Sequence, residues 1–194
     1  RYIHSFSRRH RQMCIRDRDE MTSLSDEILT FWFQECSNED WFMISSEFDE
    51  RLRERFLDAN QQASSGDLDD WANDSKSCLS LIIVLDQFTR NLFRGTPKAF
   101  QNDELAIKWT KLSIDQNYLE TYNHEEIQFC LMPLIHSEKL SDHKLAEDLR
   151  IKFLSDHPRH DLVKKSWDNH QVPIIRFGRY PHRNEILGRD STRE

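Results

Sequence analysis

The most apolar run in the chain is Leu79-Ser80-Leu81-Ile82-Ile83-Val84-Leu85. It leads without a break into Asp86-Gln87-Phe88-Thr89-Arg90-Asn91-Leu92-Phe93-Arg94. Stepped at about 100° per residue, Leu81, Val84, Leu85, Phe88 and Leu92 share one side of a helix, and Leu79, Ile82 and Ile83 the other. A helix that is apolar nearly all round is packed on several sides. Asp86, Arg90 and Arg94 then follow at i, i+4 steps in line with Leu79 and Ile83, with Gln87 and Asn91 beside them. If Asp86 and Arg90 form an exposed pair, it is worth a few tenths of a kcal/mol. If they line a semi-buried pocket, they need partners from elsewhere, because an unpaired buried charge is costly. The apolar turns next to them favour the pocket.

The rest of the pattern is helical too. Ser25-Asp26-Glu27 predicts a helix start, with an N-cap serine and acids in the first turn, before Ile28, Leu29, Phe31, Trp32 and Phe33. Asn38-Glu39-Asp40 is expected to break that helix and to leave Trp41-Phe42 in a loop. Ser46-Glu47-Phe48-Asp49 resembles a capping box, and Phe48, Leu52, Phe56, Ala59 and Ala63 recur at helical spacing up to a stop at Gly66. Ser75 or Ser77 is expected to cap the central helix and Gly95 to end it. Thr96-Pro97 announces a helix over about 98–117, interrupted near Asn102-Asp103. Asn123 to Glu126 opens another, which Pro133 is expected to kink or end. Ser141-Asp142 starts a helix to about Asp156, and a last one runs from about Arg159 to Arg176 with a bend at Pro173. These elements predict an all-α chain in which successive helices pair as antiparallel hairpins around one central buried helix.

Composition narrows the picture. Among 194 residues there are 4 Gly and 5 Pro, too few for an all-β fold of tight turns. No G-x-G-x-x-G or P-loop pattern occurs, which argues against nucleotide binding through a glycine loop. No apolar run reaches the roughly 18 residues of a membrane span, so none is expected. Cys14, Cys36, Cys78 and Cys130 are scattered without C-x-x-C spacing, which suggests free thiols in a cytoplasmic protein.

The net charge of −7 is uneven. Six of the 27 Lys and Arg and one of the 34 Asp and Glu lie in 1–18, which leaves 21 and 33 over 19–194 and −12 there. An acidic body lacks the cationic footprint of a nucleic-acid binder. The basic stretch 1–18 has no helical period. It reads as a transit peptide or, more simply, as non-native residues before a start near Met21, so 1–20 is expected to be a leader and 21–194 a single domain.

Candidate chemistry concentrates near the end. Arg176, Arg179, His182, Arg183 and Arg189 gather positive charge around Gly178, Pro181 and Gly188. Such a loop suits bidentate recognition of a carboxylate or phosphate. Equally, these arginines can cap helix C-termini and pair with internal acids such as Asp86 and Glu138. His136-x-Glu138 offers two metal-type ligands without a third at standard spacing, so a histidine bonded to a neighbouring carboxylate is the better reading and no metal is expected. Ser137 and Ser191 lack the strand-turn-helix context of a nucleophile.

Several long stretches share one resemblance. They are Leu85-Asp86-Gln87-Phe88-Thr89-Arg90-Asn91, Met132-Pro133-Leu134-Ile135-His136-Ser137-Glu138, and Arg176-Phe177-Gly178-Arg179-Tyr180-Pro181-His182-Arg183-Asn184. With Trp41-Phe42, Phe48-Asp49 and Gly188-Arg189-x-Ser191-Thr192, they resemble the mostly bacterial family known as domain of unknown function 924 (DUF924), over about Ile28 to Glu194. The resemblance implies an all-helical, tetratricopeptide-like fold and carries no established activity. Thr89 stands where the family usually has Pro, and Tyr180 where Phe is common. Family members usually continue into another helix after the Ser-Thr motif, so the natural chain is expected to be longer.

Two functions follow. In the first, Asp86, Gln87, Arg90, Asn91, His136, Glu138, Arg179, His182, Arg183 and Asn184 converge on one pocket for a small anionic ligand, without a cofactor. Arg90, Arg179 and Arg183 would then be the clamps, and His182 or Glu138 the acid/base of any hydrolytic chemistry. In the second, the chain is a tetratricopeptide-like scaffold for a peptide or protein partner, and the polar cluster is an internal brace.

Overall fold

A computed structural model of the chain describes residues 24–191, and the leader expected over 1–20 lies outside them. The described residues are all-α, with no strand among them. No helix among them is long and apolar enough to cross a membrane. They fall into two compact units that divide between Ser45 and Ser46.

The first unit holds helix α1 over 24–30, which widens into a π turn at Phe31–Glu35, and α2, Asn38–Phe42. Asn38-Glu39-Asp40 therefore starts a helix instead of breaking one. The reason is a capping box at Ser37. Its Oγ accepts from Asp40 N–H (3.3 Å), while the Asp40 carboxylate accepts the Ser37 N–H at 2.7 Å. Trp41, expected in a loop, is thereby in a helix, and its Nε1–H donates to the Trp32 carbonyl (3.0 Å).

The second unit is built on a helix that runs from Ser75 to Leu92 in three pieces. They are α4, Ser75–Ile83, a π turn at Val84–Phe88, and α5, Thr89–Leu92. Every residue from 78 to 89 is buried, as all-round apolarity predicts. Neither serine caps it; Asp74 does, accepting from Ser77 N–H at 3.1 Å. The π turn frees backbone carbonyls from the regular ladder, and the Val84 carbonyl accepts from Asn60 Nδ2 (3.0 Å) and Thr89 Oγ1 (3.2 Å). Thr89 Oγ1 also accepts from Asn60 (2.8 Å) and Asn102 (3.0 Å).

Other helices enclose this one. On α3, Ser46–Ser65, the inward face is Phe48, Leu52, Phe56, Ala59 and Ala63, and Phe56 meets Phe88 at 5.2 Å between ring centroids. Gly66, at φ 88°, stops α3 as expected. The segment after Pro97 divides into a 3₁₀ turn, Pro97–Phe100, and α6, Asp103–Asp115. A full capping box opens α7, His124–His136: Asn123 Oδ1 accepts from Glu125 and Glu126 N–H, each at 3.0 Å, and the Glu126 carboxylate accepts Asn123 N–H.

Pro133 does not end α7. The helix runs on to His136, so Leu134 and Ile135 belong to it. A proline sacrifices one helical bond, but α7 is buried on every face from Ile127 to His136, and that packing holds it through the defect. α8, Leu140–Leu154, and α9, His160–Phe177, complete the unit. Packing pairs α6 with α7, α7 with α8 and α8 with α9, while α4 touches both α6 and α7. The α7–α8 turn and the segment after α9 thus come to the charged end of the central helix.

Candidate functional site

In the middle of the π turn Asp86 is only 1% exposed. Its Oδ1 lies 2.7 Å from His136 Nδ1 on α7 and 3.2 Å from Arg90 Nη2, and its Oδ2 accepts from Gln87 Nε2. Arg90 Nη2 also donates to Asp103 Oδ1 (2.9 Å) at the start of α6. The other Asp103 oxygen receives Arg183 Nη1 at 3.2 Å, and Arg183 Nη2 donates to the His136 carbonyl (3.0 Å). The Arg183 guanidinium is also held between two rings, 4.5 Å from each centroid of Phe100 and Tyr180. Two carboxylates, two guanidiniums and one imidazole thus form a closed network.

The electrostatics fix its charge states. Burial raises the Asp86 carboxyl, but the His136 ring and Arg90 outweigh it and hold Asp86 well below the usual carboxylate range. Burial pushes His136 down to about 4, with Asp86 opposing and Arg90 reinforcing. The imidazole is therefore neutral at pH 7, and its Nδ1 lies 2.7 Å from the Asp86 carboxylate and 3.3 Å from Arg90 Nε, donating to the first in one tautomer and accepting from the second in the other. Asp103 is pushed up to about 6 by burial and by Asp86, against the pull of Arg90 and Arg183. At neutral pH the network carries two negative and two positive charges.

Beside it is a second, smaller knot. Glu138 accepts from the Tyr180 N–H (2.8 Å) and from both terminal nitrogens of Arg189 (2.6 and 2.9 Å). Burial works to raise this carboxyl, and the Arg189 and Tyr180 hydrogen bonds hold it below its ordinary value. Tyr180 sits in the middle. Its hydroxyl donates to the Ile135 carbonyl, and its ring has His182 at 5.4 Å, His170 at 6.3 Å and His143 at 6.4 Å.

Past α9 the chain turns at Gly178, whose φ of 67° is the left-handed cap that suits glycine. It then makes a 3₁₀ turn at Pro181–Arg183 and folds back through Arg189 N–H to the Asn184 carbonyl (2.8 Å). This return encloses a groove of about 320 Å³ lined by Arg176, Phe177, Arg179, Pro181, Asn184, Asp190 and Ser191. Asn184 is 4% exposed; its Nδ2 lies 3.4 Å from Ser191 Oγ and its buried Oδ1 has no hydrogen-bond partner. Arg176 and Arg179 make no ion pair among the described residues; the Arg176 guanidinium lies 4.8 Å over the ring of Phe177.

Residues 28–194 match the family of bacterial proteins of unknown function, DUF924. The chain belongs to this family. It is similar to a solved protein of unknown function from Agrobacterium tumefaciens, with 31% identity and a TM-score of 0.82, over 89% of this chain and 94% of that one. No curated protein matches it.

In this DUF924 chain the ten sequence-derived positions separate into groups. Asp86, Gln87, Arg90, His136 and Arg183 meet in the buried network. Glu138 belongs to the neighbouring knot, His182 is exposed against Tyr180, and Arg179 and Asn184 face the groove. Asn91 turns away: one residue beyond Arg90 is about 100° round the axis, and its Nδ2 donates to Asp49 Oδ1 on α3 (2.8 Å), as does Arg94 (2.9 Å).

Sequence reasoning missed Asp103, Phe100 and Tyr180, which complete the network, and Asp190 in the groove. An acid just past a Pro-initiated turn was the visible signal for Asp103. Among the described residues no group of three or more His, Cys, Asp or Glu is placed to hold a metal ion.

Proposed function

We propose that the groove at the end of α9 binds a small anionic ligand, with Arg176 and Arg179 as its clamps and the buried network as its brace. The observation that carries this reading is a contrast between arginines. Arg90, Arg183 and Arg189 are all engaged with carboxylates, whereas the two that line the groove have none. Paired guanidiniums hold the fold; unpaired ones beside a cavity are available to a planar anion. A groove of about 320 Å³ is at the small end of ligand sites. Glu138 and His182 are not among its lining residues, and Glu138 already accepts three hydrogen bonds. The reading is therefore of binding, with no acid/base role assigned.

Calorimetric titration of the full chain with inorganic phosphate, succinate and 3-phenylpropanoate tests it. At least one should bind saturably, and Arg176→Ala with Arg179→Ala should weaken that binding by about tenfold or more. Affinity unchanged in the double variant overturns the reading, and so does absence of saturable heat with all three and with the α-amino counterparts of the two carboxylic acids.

A second reading, a tetratricopeptide-like scaffold for a peptide, is favoured by Ile151, Leu162, Val172 and Ile175, which α8 and α9 leave exposed. It requires peptides from a displayed library whose capture is lost in Val172→Ser with Ile175→Ser and kept in the double arginine variant.

A further inference from the structure

The groove carries charge of both signs. Asp190 lines it together with Arg176 and Arg179, yet no ion pair joins the aspartate to either guanidinium, or to any other cation among the described residues. A ligand that was only an anion would satisfy the arginines and leave the Asp190 carboxylate facing it, which disfavours binding. Asn184 also lines the groove, and its buried Oδ1 is an acceptor without a donor. Buried acceptors without partners are uncommon in native proteins and call for a donor. Phe177 and Pro181 supply the apolar part of the lining.

We infer that the ligand class is a zwitterion, an α-amino acid with an apolar side chain. Its carboxylate lies on Arg176 and Arg179, its ammonium on Asp190 with Asn184 Oδ1 as the nearby acceptor, and its side chain against Phe177 and Pro181. This rests on the anion-binding reading of the same groove and adds the cationic half of the ligand. An ammonium has three donors and no acceptor, so it complements the aspartate and the amide oxygen, whereas a hydroxyl or a second anionic group complements neither as well. The placement also explains why Asp190 stays apart from two arginines that share its groove: the ligand bridges the opposite charges.

The test compares amino acids with the acids that lack only the amine. The full chain is titrated with L-phenylalanine against 3-phenylpropanoate, and with L-leucine against 4-methylpentanoate. At least one amino acid should bind about tenfold more tightly than its deaminated partner, the difference a charge-assisted hydrogen bond makes. Asp190→Asn should remove that difference by weakening the amino acid and leaving the acid unchanged or slightly tighter. The double arginine variant should weaken both compounds. Because the Asp190 side chain is exposed and bonds to nothing among the described residues, the Asn variant should keep the native circular dichroism spectrum.

If the acids bind as well as the amino acids and still depend on the arginines, the zwitterion is wrong and the anion site stands. An unchanged amino-acid affinity in Asp190→Asn overturns the inference in the same way. If neither these compounds nor phosphate and succinate bind, the anion site fails and the inference fails with it.

Discussion

Asp86 Oδ1 and His136 Nδ1 are 2.7 Å apart, and the imidazole that approaches this carboxylate is neutral at pH 7. Asp86 thus draws its charge compensation from Arg90, while the histidine adds no charge. Removing the carboxylate leaves both partners buried without it. Asp86→Ala should therefore destabilise the protein by about 3–5 kcal/mol, and Asp86→Asn, which keeps the volume, should lose less. Urea unfolding at pH 7 measures both, and an Ala variant within 1 kcal/mol of wild type, on the order of an exposed pair, would show that the network contributes little to folding.

The pH dependence has two opposed parts. His136 is held at about 4 in the folded chain, against an ordinary 6.5. Its contribution to stability is present above 6.5 and is lost as pH falls through about 4. Asp103 runs the other way. Its folded value of about 6 lies above the ordinary 3.8, so its contribution is present below 3.8 and is lost as pH rises through about 6. Between these limits the two slopes work against each other. Asp103→Asn removes the opposing slope, and stability should climb more steeply from pH 4 to 6.5. In His136→Gln the rise over the same range should be shallower than in wild type, because Asp103 then opposes only His143, His157 and His182, which burial also lowers. Urea midpoints across this range decide, and three parallel profiles would refute the assignment.

Thr89 Oγ1 takes hydrogen bonds from Asn60 and Asn102 and gives one to the Val84 carbonyl. Thr89→Val keeps the shape but strips an acceptor from two buried amides. The expected loss is about 1–3 kcal/mol, read by thermal and urea unfolding. Thr89→Ser, which keeps the hydroxyl, should lose clearly less.

Arg183 combines a bond to Asp103, a bond to the His136 carbonyl and stacking between Phe100 and Tyr180. An ammonium reproduces the charge without the planar fork or the stacked face. Arg183→Lys should destabilise by about 1–3 kcal/mol despite the conserved charge. Near-equal stability of the Lys variant would mean that charge alone matters at this position.

Much of this arrangement was legible in the sequence. The apolar run at Leu79–Leu85 marked the buried helix because the hydrophobic pattern had no polar side, and the charges that followed it at i, i+4 pointed to partners from elsewhere. Asn123 and Gly66 were readable because caps and stops are local chemistry. Ser37 was missed because acids within a turn were read as breakers when one of them closes a capping box. Of the two outcomes expected at Pro133, a kink or an end, the helix does not end there, because a proline's local penalty is visible in sequence and the packing that offsets it is not. Asn91 was grouped with Arg90 by adjacency, although neighbouring residues on a helix face different ways. The division between engaged and unengaged arginines was hidden, since the sequence shows Arg176, Arg179, Arg183 and Arg189 alike and only the return of the chain at Gly178 sorts them.

The π turn at Val84–Phe88 sets a rotational phase. A π turn inserts one residue relative to the α repeat, so it rotates everything beyond it by about 100° relative to everything before. Arg90 reaches Asp103 and His136 with that offset in place, while its i, i+4 spacing from Asp86 needs none. Deleting Val84 or Leu85 would leave composition, hydrophobicity and helix content almost untouched, yet swing Arg90 and Asp86 together out of line with Asp103 and His136 on the neighbouring helices. In this protein the alignment of the charged end with the apolar start is carried by the count of residues between them, and a length change there is a more severe lesion than most substitutions.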